Sequence, residues 1–260
     1  MPRAVLLDID GLLTRGVGGP AFDGGPEAVA AVAGRWPVRY LTNATSRTRR
    51  SIASHLAAEG YPARAETVFT PAALAQRVLP GRGHDRGILL ADSGAAEDLA
   101  WFTPLDDPEH APAVLLASEC HDRRIADLQP AVRALRRGAR LYALQANRVF
   151  RKDGRLWTDL GPVAAFLGYA ADCGWESFGK PSPAAFEAAA RDLGVGLGDL
   201  VMVGDDAEFD CAGALRAGVG AAILVRTGKY EPGDETRVEP SPTRVIDSVA
   251  DLPDALAALG

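Results

Sequence analysis

Short apolar runs alternate with alanine-rich amphipathic segments along most of the chain. The apolar runs are only a few residues long, which is typical of strands that are buried on both faces of a sheet. They are bounded by polar residues, glycine and proline, so that each run ends clearly. The pattern predicts strands over residues 5–9, 38–42, 87–91, 113–117, 140–144, 200–203 and 221–225.

The segments between these strands have the periodicity of helices, and several begin near a proline or end at a glycine. Strands that alternate with helices indicate an α/β fold with a mainly parallel, Rossmann-like sheet. Two further features are a hairpin of residues 149–151 and 156–158 and a polar loop over 232–242. The helices are predicted over residues 26–35, 48–59, 71–79, 123–137, 161–173, 183–193, 208–217 and 248–259.

One break interrupts this alternation. Residues 80–84 read Pro-Gly-Arg-Gly-His, a composition typical of a linker. The first rhythm returns after Gly179-Lys180-Pro181. The segment between the two points therefore predicts a second, smaller α/β unit inserted into the first.

Composition narrows the class of protein. The chain has 260 residues, 47% of them apolar, which is enough for a sizeable core. A net charge of −6 argues against a general partner of nucleic acid or of an anionic membrane. The three cysteines form no CxxC pair, and neither a secretion signal nor a membrane-spanning run is visible, so we expect a cytoplasmic protein.

The first predicted strand ends in Asp8-Ile9-Asp10-Gly11. Side chains two residues apart on a strand point to the same face, and carboxylates that close repel each other unless a cation or a shared proton relieves them. The pair therefore predicts a metal site, an acid/base pair, or both. The alternative is an Asp-Gly turn without a chemical role.

Two other segments place polar groups beside strand or helix ends. Thr42-Asn43 follows the second strand, where a hydroxyl and an amide can hold a phosphate oxygen, although a helix cap or an Asx turn is the simpler reading. Lys180 stands between glycine and proline, where a compact positive charge near an anion is one interpretation. An exposed loop lysine is the other.

The acidic run after residues 200–203 is the fourth candidate. It reads Gly204-Asp205-Asp206-Ala207-Glu208-Phe209-Asp210. Carboxylates at a strand end suit Mg²⁺, which prefers carboxylates, waters and substrate phosphate. Acidic residues also offset the macrodipole at a helix start, and Asp206 and Glu208 fit that role alone.

Taken together, these motifs resemble those of the haloacid dehalogenase superfamily of hydrolases. That family has DxDG, then a hydrophobic run ending in Thr/Ser and Asn, then a lysine, then GD with a further Asp. The resemblance covers essentially the whole chain and is greatest to subclass IIA, which includes 4-nitrophenylphosphatase-like and phospholysine phosphohistidine inorganic pyrophosphate phosphatase-like proteins. It implies a catalytic core over residues 1–79 and 178–260, and a type II cap over 80–177. Leu12 departs from the usual Thr or Val after DxDG.

The resemblance also implies roles for individual residues. Asp8 would be the nucleophile, and Asp10 would serve as general acid and then general base. Mg²⁺ would be bound by Asp8, the backbone carbonyl of Asp10, and Asp205. The transferring phosphoryl group would contact Thr42, Asn43 and Lys180, with Asp210 supporting Lys180 or the waters of the metal.

The expected function is that of a Mg²⁺-dependent phosphatase acting on a small phosphorylated metabolite through an aspartyl-phosphate. Two alternatives stay open, namely phosphoryl transfer to an acceptor other than water and a non-catalytic protein that binds metal or phosphate. No nucleic-acid or membrane partner is expected, whereas family analogy suggests a homodimer through the cap. Polar residues at strand ends of the cap are the candidates for substrate choice: Asp92, Glu119, Asn147 and Arg148.

Overall fold

The computed structural model describes residues 2–91, 97–105, 107–118, 123–152 and 155–259. The chain divides into two compact units. The first unit comprises Met1–Thr42, Arg49–Phe69 and Lys180–Gly260. The second comprises Asn43–Thr48 and Thr70–Gly179.

Strands and helices alternate through the described residues, as the sequence predicts. The strands are β1 Ala4–Leu7, β2 Val38–Leu41, β3 Val68–Phe69, β4 Arg86–Leu90, β5 Thr103–Pro104, β6 Ala113–Leu116, β7 Arg140–Ala143, β8 Val149–Lys152, β9 Arg155–Thr158, β10 Trp175–Ser177, β11 Leu200–Gly204, β12 Ala221–Val225 and β13 Arg244–Ile246. The α-helices are α1 Gly25–Ala33, α2 Arg49–Ala58, α3 Pro71–Val78, α4 Gln129–Arg136, α5 Leu160–Ala171, α6 Pro183–Leu193, α7 Gly213–Arg216, α8 Asp234–Arg237 and α9 Leu252–Ala257.

The first unit is built on a parallel sheet with the strand order β13-β12-β11-β1-β2-β3. Strand β1 lies between β11 and β2, with Leu7 level with Val203 on one side and Tyr40 on the other. All four residues of β1 are buried, as expected for a strand that is covered on both faces. The carboxyl ends of β11, β1 and β2 therefore lie side by side at one edge of the sheet.

The second unit has its own parallel sheet, with the order β10-β7-β6-β4-β5. Its strand β6 is fully buried. The predicted hairpin is confirmed, because β8 and β9 pair in antiparallel fashion. The alternation of strands and helices in both units confirms the α/β class.

Two predicted helices are less regular than their patterns suggest. The segment predicted over 123–137 begins with a 3₁₀ turn at Ile125–Leu128, and only α4 continues it as an α-helix. Pro130 lies in the first turn of α4, where its missing N–H is tolerated, whereas it could not continue a helix from further upstream. The segment predicted over 208–217 is a π-helix, Ala207–Ala212, followed by α7.

The prediction of a polar loop over 232–242 is wrong in part, because α8 forms inside it. Gly233 precedes α8 in a left-handed conformation, and Arg237 pairs with Asp234 one turn away. The sequence pattern also missed the short strands β3, β5, β10 and β13, which have only two or three residues each. Runs this short carry too little periodicity to be recognised locally.

Two other sequence expectations concern cysteines and membrane spans. Cys173 and Cys211 are free, whereas Cys120 lies outside the described residues. Within the described part of the chain, no helix is both long enough and apolar enough to cross a membrane.

Candidate active site

Three neighbouring strand ends in the first unit present polar side chains. Asp8 follows β1, Thr42 follows β2 and Asp205 follows β11. Each is nearly inaccessible to solvent, with 6%, 3% and 1% of its surface exposed. Ligands of open parallel sheets bind at the carboxyl ends of the strands, so this edge is the natural place for a site.

Lys180 is buried beside these side chains. Its Nζ lies 2.6 Å from Oδ1 of Asp8 and 2.7 Å from Oδ1 of Asp210, and its side chain is 3% exposed. Burial lowers the pKa of Lys180, but the charges of Asp210 and Asp8 outweigh burial and hold the pKa above its ordinary value. The reading of Lys180 as an exposed loop lysine is therefore wrong.

The acidic run after β11 divides between two roles. Asp206 caps the π-helix, because its Oδ1 accepts hydrogen bonds from the amides of Glu208 and Phe209. Glu208 is exposed and pairs with Arg216. Asp210 points the other way, to Lys180, and its Oδ2 also accepts from the amide of Asp206 at 3.2 Å.

The carboxylates of Asp8, Asp205 and Asp210 could hold a metal ion. One oxygen from each lies within 4.8 Å of the others, and all three residues are buried. Burial, together with the negative charges of Asp8 and Asp210, raises the pKa of Asp205 to about 8. Burial also raises the pKa of Asp210, and the Lys180 ammonium offsets only part of that rise.

One atom in this group lacks a partner. Oδ1 of Asp205 is buried and forms no hydrogen bond with the described residues. A buried carboxylate oxygen left in this state is costly, unless a cation or a proton binds it. Clustered carboxylate oxygens are the donors that Mg²⁺ prefers, so the residues fit such an ion.

Asp10 lies in the tight turn that follows β1. It is half-buried and forms a bridge with Thr14, whose carbonyl accepts a hydrogen bond from Gly11. The acidic group found among the described residues contains Asp210, which the sequence linked to Lys180, and does not include the Asp10 carboxylate. That observation is compatible with the predicted metal contact through the Asp10 backbone, which stays a prediction.

Asn43 belongs to the second unit, where it contacts a candidate for substrate choice. Its Nδ2 donates to Oδ1 of Asn147 at 3.2 Å. The backbone N–H of Asn147 in turn donates to Oε1 of the buried Gln145 at 2.5 Å. Arg148 is exposed. The other two predicted cap residues, Asp92 and Glu119, lie outside the described residues.

Sequence reasoning assigned no role at the site to a loop that contacts it. This loop, Thr227 to Lys229, follows β12, and its Lys229 amide donates to Oδ2 of Asp205 at 2.7 Å. Thr227 Oγ1 donates to the carbonyl of Gly11 at 2.5 Å. The available signal was the pair Gly228-Lys229 soon after a buried strand, because the chain has only three lysines.

Two sequence profiles match the chain. One, described as haloacid dehalogenase-like hydrolase, matches residues 5–100. The other, described as HAD-hydrolase-like, matches residues 177–252. The two matches include the segments that carry Asp8, Lys180 and Asp205.

The similarity to individual proteins extends over nearly the whole chain. The bovine (Bos taurus) phospholysine phosphohistidine inorganic pyrophosphate phosphatase is 32% identical over 259 residues, which cover 98% of this chain and 94% of that protein. The structure of 4-nitrophenylphosphatase from Thermotoga maritima matches with a TM-score of 0.86 and 22% identity, over 98% of this chain and 97% of that one. Glycerol phosphate phosphatase from Mycobacterium tuberculosis, solved in complex with calcium, matches with a TM-score of 0.82 and 26% identity, over 96% and 74%.

We expect replacement of the buried lysine to destabilise the metal-free protein. Lys180→Met leaves Asp8 and Asp210 without their buried counter-charge, which costs about 3–5 kcal/mol of unfolding free energy. Urea denaturation in the presence of a chelator measures the loss. Arg226→Met, which removes an exposed partner of Asp247, is the control and should unfold like the wild type. Equal stability of the two variants would contradict the account of Lys180.

We also expect Mg²⁺ to raise the thermal midpoint of unfolding, because it relieves the repulsion among the buried carboxylates. Asp205→Asn should abolish most of this rise. Protons compete with the ion for Asp205, whose pKa of about 8 keeps it largely protonated at pH 6. The rise should therefore be larger at pH 8 than at pH 6 when differential scanning fluorimetry is run at both values. A rise that is the same in Asp205→Asn and in the wild type would remove Asp205 from the metal site.

Proposed function

Because the chain belongs to the haloacid dehalogenase-like hydrolases, we propose that it is a Mg²⁺-dependent phosphatase that hydrolyses a small phosphorylated metabolite through an aspartyl-phosphate on Asp8. The bovine, Thermotoga and Mycobacterium proteins described above are all named as phosphatases, which supports the reaction class. We further propose that residues 1–79 and 178–260 carry the chemistry and that residues 80–177 act as the substrate cap.

The observation that carries this proposal is the contact between Asp8 and Lys180. Oδ1 of the buried Asp8 lies 2.6 Å from the buried Lys180 ammonium, and a carboxylate in such a site can act as a covalent nucleophile. The same ammonium supplies positive charge at the position where a phosphoryl group must approach a negatively charged nucleophile. An ordinary surface ion pair would not be buried, and it would not have a third carboxylate, that of Asp205, close to it.

In the first step, a carboxylate oxygen of Asp8 attacks phosphorus, and the bond from phosphorus to the leaving oxygen breaks. Asp10 gives its proton to that oxygen, so the product leaves as an alcohol. In the second step, Asp10 takes a proton from water, whose oxygen attacks phosphorus. The phosphorus–Asp8 bond breaks, and inorganic phosphate and the free carboxylate are restored.

The other site residues would stabilise the charge of the phosphoryl group and orient the groups that contact it. The Lys180 ammonium stabilises the transferring phosphoryl group, and Asp210 fixes the direction of its Nζ. The Thr42 hydroxyl and the Asn43 amide would donate to phosphoryl oxygens. Mg²⁺ held by Asp8, Asp205 and the Asp10 carbonyl would screen the repulsion between the nucleophile and the substrate.

Substrate choice is assigned to the inserted segment. The hydrogen bond between Asn43 and Asn147 supports this assignment, because it joins a predicted phosphate-binding residue to the segment between β7 and β8 in the second unit. A screen of phosphate release over sugar phosphates, phosphoglycolate, nucleotides, pyrophosphate and phosphoamino acids tests the substrate class. Repeating it with added acceptor alcohols separates hydrolysis from phosphoryl transfer.

Asp8→Asn should abolish Mg²⁺-dependent hydrolysis of p-nitrophenyl phosphate, with a loss in kcat of roughly 10³-fold or more, because the amide cannot form the covalent intermediate. Asp199→Asn is a matched control. Asp199 precedes β11, at the end of the strand opposite Asp205, and its loss should leave kcat near that of the wild type. Near wild-type turnover by Asp8→Asn would exclude Asp8 as the nucleophile.

Asp10→Asn should lower kcat by about 10²- to 10⁴-fold, because it removes the general acid. Its affinity for Mg²⁺ should stay close to that of the wild type, since the backbone carbonyl is retained. Steady-state kinetics and calorimetric titration of Mg²⁺ measure the two effects separately. A collapse of metal binding would instead make the Asp10 side chain a ligand.

A further inference from the structure

Three separate segments converge on the carboxylate of Asp205. They are the turn after β1, the end of β11 and the loop from Thr227 to Lys229, here called the β12 loop. The β12 loop donates its Lys229 amide to Oδ2 of Asp205 at 2.7 Å. The Thr227 hydroxyl joins the same loop to the turn after β1, through the carbonyl of Gly11.

Both flanking glycines are needed for this approach. Gly11 and Gly228 have φ angles of +93° and +63°, a region that side chains rarely adopt. A Cβ at either position would lie 2.0 Å from Oδ2 of Asp205. The backbone therefore encloses this oxygen from two sides.

The two oxygens of Asp205 consequently differ. Oδ2 is held by the backbone, whereas Oδ1 is buried and makes no hydrogen bond with the described residues. The Lys229 amide holds Oδ2, so rotation of the carboxylate could bring this hydrogen bond to Oδ1 only by taking it from Oδ2. Oδ1 is therefore held in place and shielded from solvent in the absence of a ligand.

We propose that the β12 loop is a positioning element of the cation site: it fixes Oδ2 of Asp205 so that Oδ1 is presented to a divalent cation. This inference rests on the proposed metal site, but it concerns residues outside the motifs that define that site. Groups that orient a metal ligand contribute to affinity without contacting the ion, and their loss typically weakens binding about 10- to 100-fold.

The test compares Thr227→Val and Thr227→Ser in the full chain. Valine keeps the shape of threonine but loses the hydroxyl that joins the loop to Gly11, whereas serine keeps it. Calorimetric titration with Mg²⁺, well below the thermal midpoint and without substrate, should show a dissociation constant about 10-fold higher for Thr227→Val. Thr227→Ser should bind like the wild type.

Thr236→Val is the matched control. Its hydroxyl also donates to a backbone carbonyl, that of Gly233, but in an exposed turn at α8. Loss of this bond should leave Mg²⁺ binding unchanged. Gly228→Ala should weaken binding more than Thr227→Val, and if it fails to fold, the Thr227 pair decides the question alone.

Two outcomes would overturn the inference. One is wild-type affinity for Mg²⁺ in Thr227→Val, whether or not its metal-free thermal midpoint falls, because a purely structural loop would change only the midpoint. The other is a wild-type protein that binds no Mg²⁺. Phosphate release is measured separately, so that a chain that binds Mg²⁺ through a Thr227-dependent site but releases no phosphate would refute the proposed function while supporting the loop's role.

Discussion

The structure of the site depends on burying more carboxylates than ammonium groups. Asp8, Asp205 and Asp210 are gathered at adjacent strand and helix ends, and Lys180 is the buried ammonium that contacts two of them. Carboxylates removed from water at this separation repel each other strongly, and one lysine neutralises only part of the excess. The remaining negative charge, and the Asp205 oxygen that has no hydrogen bond with the described residues, favour a cation or a proton at this site.

The backbone brings these buried carboxylates together and fixes their positions. A parallel sheet brings the ends of β11, β1 and β2 together, so three side chains meet without any long loop. The π-helix after β11 then separates neighbouring acidic residues, with Asp206 capping the helix and Asp210 reaching Lys180. Positive φ angles at Gly11 and Gly228 allow two backbone segments to pass close to Asp205. The carboxylate is therefore oriented by main-chain groups, which do not depend on side-chain rotamers.

The charged cluster and the polar network around Asn43 belong to different units of the chain. The charged cluster of Asp8, Lys180, Asp205 and Asp210 belongs to the first unit. The polar network of Asn43, Asn147 and Gln145 belongs to the second unit. The similarity to the bovine phosphatase extends over nearly the full length of both units.

The sequence by itself determined the α/β class, the approximate position of most helices and the longer strands, and the residue types of the site, because periodicity and motif spacing are local properties. It could not decide between an exposed and a buried Lys180, or which acidic residue after β11 caps a helix. It also missed the short strands and gave no sign that the β12 loop contacts Gly11 and Asp205. These depend on strand order and on contacts between residues far apart in the chain, such as Thr227 with Gly11. Only the tertiary structure decides such contacts, because burial and electrostatic partners arise when distant segments meet.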